Sequence, residues 1–123
     1  FAVGNTSGAI ANTTLDVYGG AAMNVVTLAT TSNTVNVALA NYFVCTPAGT
    51  TTFVFTGVPV SRDSSFVIEL TNGGAYTVSF PSSVKWPANT APTLTSSGKD
   101  LLIFSTANTG STWRASSLIG YTA

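Results

Sequence analysis

Charge is what this chain has least of. Of its 123 residues only 7% are charged, against about 25% in an ordinary soluble domain. Four cations (Arg62, Lys85, Lys99 and Arg114) balance four anions (Asp16, Asp63, Glu69 and Asp100), and the net charge is zero. Neither sign dominates, so nucleic acid and an anionic membrane surface are not expected as partners. Histidine is absent. That removes Ser-His and Cys-His pairs and imidazole metal ligands. The four carboxylates stand apart in sequence, whereas glycoside hydrolysis needs two of them facing each other. No clustered Asp motif offers calcium several oxygens, and no glycine loop links a strand to a helix around a phosphate. The chain therefore reads as no enzyme, with no cofactor and no metal. The one cysteine, Cys45, cannot form an intrachain disulfide. It lies in the apolar run YFVC, where a buried, inert thiol is expected. No signal peptide is visible and no apolar run is long enough to span a bilayer as a helix, so membrane insertion is not expected. A chain beginning with Phe rather than Met is expected to be a fragment, a processed product or an incompletely assigned chain.

Apolar residues make up 45% of the chain, enough for one folded domain with a core of its own. Thr, Ser, Asn, Gly and Ala fill the places that charges usually take. Such a surface is polar but uncharged and gives little protection against association. Much of it is expected to be covered in the native assembly.

Helix signals are almost absent. Runs rich in Thr, Val, Phe and Tyr favour strands, and Gly, Asn, Ser and Pro punctuate them at short intervals. The pattern predicts strands at 13–19, 23–30, 34–46, 51–58, 65–72, 75–81 and 100–106, with one or two more in 111–122. About eight short strands with regular turns predict an all-β, antiparallel β-sandwich, jelly-roll-like, over residues 13–123. Residues 1–12 read as an arm or linker. Asn72, Gly73 and Gly74 predict a hairpin between 65–72 and 75–81. The segment 107–112 predicts a second turn. Strand 100–106 is apolar on both faces, Leu101 and Ile103 against Leu102 and Phe104, so it needs two covers. Phe53, Phe55, Phe66, Ile68, Phe80, Trp86, Leu101, Ile103 and Trp113 form the expected core.

The aromatics are the only candidates for a binding site. Trp86, Trp113, Tyr18, Tyr42, Tyr76 and Tyr121 could stack on a sugar, or they could pack. For Trp86, which lies between Lys85 and Pro87, packing over the open end of the sandwich is the favoured reading.

Residues 69–117 carry a pattern. It runs through Thr71–Gly74, Tyr76–Phe80, the VKWP of Val84–Pro87, the APTLT of Ala91–Thr95, Gly98–Asp100, Leu101–Phe104 and Thr112–Trp113. This stretch resembles a recurrent C-terminal module of bacteriophage structural proteins, mainly tail fibres and related virion appendages. Residues 24–59 are similar to the upstream half more loosely. The family often ends in Trp-Tyr-Gly where Arg114 and Ala115 follow Trp113 here, and often has Gly-Gly where Ala88 and Asn89 stand. The resemblance implies a structural and attachment unit rather than an enzyme, a homotrimer, and a place on the virion. Its implied partners are other copies, other virion proteins and a host surface glycan. A capsid decoration protein and a carbohydrate-binding module are the alternatives.

Overall fold

Runs of β-branched and aromatic residues become nine strands in a computed structural model, which describes residues 20–123. They are β1 (Val25–Thr27), β2 (Asn33–Asn36), β3 (Tyr42–Cys45), β4 (Thr51–Thr56), β5 (Ser64–Thr71), β6 (Val78–Ser79), β7 (Val84–Lys85), β8 (Lys99–Thr106) and β9 (Trp113–Tyr121). Six form one sheet in the order β1-β3-β5-β8-β9-β7, and three form another in the order β2-β4-β6. The fold is all-β. The expected arm 1–12, strand 13–19 and Tyr18 lie outside the described residues.

The sheets are mixed rather than antiparallel throughout as expected. From β1 to β6 successive strands alternate between the two sheets. Each strand then pairs in parallel with the strand two places on: β1 with β3, β3 with β5, β2 with β4, and β4 with β6. The chain thus winds in successive turns around one core. Parallel neighbours need a crossover of a dozen or more residues, and here each crossover contains a strand of the opposite sheet. The first three links, 28–32, 37–41 and 46–50, are five residues each. Only the C-terminal part is antiparallel, with β8 between β5 and β9. The 107–112 turn joins β8 to β9 as expected.

Two expected elements come out differently, for local reasons. The long strand 34–46 is two strands in different sheets. Asn36 breaks it, its side-chain carbonyl accepting the Ala38 amide at 3.0 Å in the manner of an Asx turn. The corner residues Val37 and Ala40 are buried, so they look like strand in the sequence. The expected hairpin across Asn72–Gly74 is instead a crossing between sheets. Asn72 takes the left-handed conformation (φ 56°) and a single 3-10 turn follows, which delivers the chain to β6 opposite.

The core lies between the sheets. Val35 and Phe53 project from the smaller one. Phe43, Phe66, Ile68, Leu70, Leu102, Phe104 and Trp113 project from the larger. Phe55, Phe66 and Trp113 meet edge to face with centroids 4.9–5.5 Å apart, an arrangement that adds to simple burial. Leu101 and Ile103 are not core residues: on β8 the buried positions are Leu102 and Phe104, and the other two point outward. Among the described residues every buried side-chain polar atom has a hydrogen-bond partner. Asn33, 5% exposed, closes the first corner by donating to the Ala29 and Thr31 carbonyls at 2.7 and 3.0 Å.

Candidate functional site

Three of the motif stretches, Thr71–Gly74, Ala91–Thr95 and Gly98–Asp100, meet at one end of the fold, while Val84 and Lys85 pair with Trp113 and Arg114 toward the other. Asn72 and Gly98 exchange two hydrogen bonds: the Asn72 amide donates to the Gly98 carbonyl, and the Gly98 amide to the Asn72 side chain, both at 2.8 Å. Gly74 donates to the Thr95 carbonyl at 2.9 Å. A side chain at Gly74 would place its Cβ 2.1 Å from the Leu94 carbonyl oxygen, so glycine is required for that approach. Gly98 has φ 136°, a conformation that side-chain-bearing residues rarely take. Asp100 is fully buried. It accepts from the Thr95 amide and hydroxyl at 2.7 Å each and from the Gly120 amide at 3.0 Å. TNGG, APTLT and GKD are thus three parts of one clamp that ties β5, the 90s segment, β8 and the end of β9 together. Its polar groups are spent on one another.

Among the described residues the candidate aromatics do not form a platform. Trp113 is 1% exposed in the core, so its ring faces are closed to a sugar. Trp86 is half-buried, 5.6 Å from Phe80 and 5.9 Å from Phe104. Tyr76 and Tyr121 are exposed singly. Tyr42 and Tyr121 lie on the same sheet face, but β5 and β8 separate them.

That face is the outer surface of the six-stranded sheet, and strand pairing orders it in rows. Val25, Tyr42, Val67, Ile103 and Ser116 stand side by side. The next row is Thr27, Val44, Glu69, Leu101 and Leu118. Thr71, Lys99 and Tyr121 follow. Ser65, Ser105, Arg114 and Lys85 form the opposite border. At the centre Glu69 accepts from the Tyr42 hydroxyl at 2.5 Å and from Lys99 Nζ at 2.6 Å, and Lys99 also reaches the Thr71 hydroxyl at 3.2 Å. The hydrogen bonds from Lys99 and Tyr42 hold the Glu69 carboxyl below the usual range. The bond to Glu69, burial and the nearby negative charge push the Tyr42 phenol up to about 12. Both groups therefore keep their neutral-pH charge state and act as a fixed cross-strand tie. Sequence spacing gave no sign of this trio, whose members are 27 and 30 residues apart.

The described carboxylates do not pair. Glu69 points outward while Asp100, on the neighbouring strand, points inward. Asp63 precedes β5, about 20 Å from Glu69 at the usual rise per residue. Among the described residues there is no group of three or more His, Cys, Asp or Glu side chains that could hold a metal ion, and no helix is long and apolar enough to cross a membrane. Comparison of the chain with protein-family models, curated proteins and solved structures finds no match.

Proposed function

We propose that the chain is a non-enzymatic structural module of a bacteriophage virion, in a tail fibre or related appendage, where it joins neighbouring proteins or presents loops to the host surface. One observation carries this reading. Asn72, Gly74, Thr95, Gly98 and Asp100, all in the stretch that carries the resemblance, lock one end of the fold rather than line a chemical site. A module whose signature is its packing suits a mechanical role. The low charge and the apolar centre of the outer sheet face suit a protein surrounded by others. Gold-labelled antibody against the chain, applied to purified particles, tests the proposal. Label on the tail is the expected result. Label confined to the head favours the decoration reading, and particles that lack the chain altogether sink both.

A further inference from the structure

Nothing among the described residues covers the outer face of the six-stranded sheet. Val44, Val67, Leu101 and Ile103 form its half-exposed centre, and Val25 (61% exposed) and Leu118 (50%) extend it to either side. We infer that a second copy of the chain docks here, face to face, about a twofold axis that runs along the strands. The inference does not rest on the virion reading and applies to a protein of any function.

The size fits. The four rows hold five, five, three and four residues, and at about 4.8 Å by 6.8 Å for each position they give a face of roughly 550 Å². Pairing two such faces buries about 1,100 Å² in all, just above the roughly 1,000 Å² that a specific interface needs. The charge fits as well. Glu69 stands in an apolar row and Lys99 in the row beside it, and they neutralise each other within one copy, so a second copy meets no net charge there. Arg114 and Lys85 stand at one border. With the axis along the strands, the β7 edge of one copy lies over the β1 edge of the other, so Arg114 and Lys85 of the two copies stay at least three strands apart.

The other sheet decides the symmetry. Its exposed outer positions are mainly hydroxyls, Thr34, Thr52, Thr56 and Ser79, with Val54 among them. A ring of three copies requires each to offer its neighbour two different surfaces. An apolar face against a hydroxyl face matches poorly, whereas the apolar face matches itself. Aligned sheet faces also pack well at about 10 Å.

Light scattering after size exclusion, run on the full chain at rising concentration, tests this. The expected mass climbs to twice the 12.5 kDa of one chain. Ile103→Lys and Leu118→Lys should each weaken association by about tenfold or more, with the β-sheet circular dichroism unchanged. Leu118 is the more exposed, so its variant keeps the test readable if Ile103→Lys does not fold. Val54→Lys, on the other sheet, should leave the dimer intact. A monomer at every concentration overturns the inference and leaves the face to a different occupant. A mass of three chains overturns it in favour of a ring. A dimer indifferent to both outer-face lysines, or one broken by Val54→Lys, overturns the choice of surface.

Discussion

Trp86 meets Phe80 and Phe104 with part of its ring and water with the rest. Removing a fully buried tryptophan costs about 3–5 kcal/mol, so Trp86→Ala in this half-buried place should cost about 2–3 kcal/mol, read as a lower midpoint in denaturant titration. Unchanged stability would mean that the ring packs on nothing that matters. The next turn makes the opposite prediction. Ala88 and Asn89 both hold left-handed conformations, at φ 52° and 55°. Asparagine tolerates this, but alanine is strained by about 1–2 kcal/mol. Ala88→Gly should therefore raise stability by about 0.5–1 kcal/mol, after the extra freedom of glycine in the unfolded chain is subtracted. A fall in the midpoint would show that the strain is not there. The position where the resembling family often has Gly-Gly is thus one where the backbone asks for it. The packing of Trp86 was legible because Pro87 makes an extended conformation at Trp86 the expected one, and φ is −88°. The expected core also held Trp113, and it is 1% exposed there.

Between strands, the Tyr42–Glu69–Lys99 tie crosses β3, β5 and β8 and should leave its mark on stability against pH. Glu69 is held below the ordinary carboxylate range. Its contribution is present above that range and is lost as acid protonates the folded form. Tyr42, at about 12 in the fold, loses its proton near 10 when unfolded, so stability should fall between about pH 10 and 12. Denaturant midpoints across pH should show both arms. Tyr42→Phe should remove this alkaline loss and shrink the acid one, and a profile identical to that of the parent chain would show that the tie does nothing. Alternation told which residues of β5 and β8 share a face, and the boundaries of both fell within a residue of expectation. It could not tell which face is buried, and so Leu101 and Ile103 were expected in the core that Leu102 and Phe104 occupy. Nor does alternation distinguish parallel from antiparallel partners. The clue lay in the three equal five-residue links, and the apolar corner Val37–Ala40 hid one of them by joining β2 to β3 in the pattern.

Across the whole molecule, one core holds both sheets, and Cys45 sits inside it. The thiol is 2% exposed and burial pushes its pKa up, so it should not react with a thiol-specific disulfide reagent while the chain is folded. It should react fully in denaturant, and in water only as fast as the core opens. Prompt native reaction would mean that the turn around β3 opens by itself. The order of the strands also bears on how the chain is made. Trp113, which meets Phe55 and Phe66 in the core, and β9, which flanks β8, are made after the strands they pack against and pair with. The earlier turns are local, but the sheet they rest on is completed by pairings such as Ser64 with Thr106. Long-range closure of this kind is slow. A nascent chain halted before Trp113 carries nearly all the apolar residues of the fold without the indole that several of them surround, so its core stays open at the centre until β9 is added.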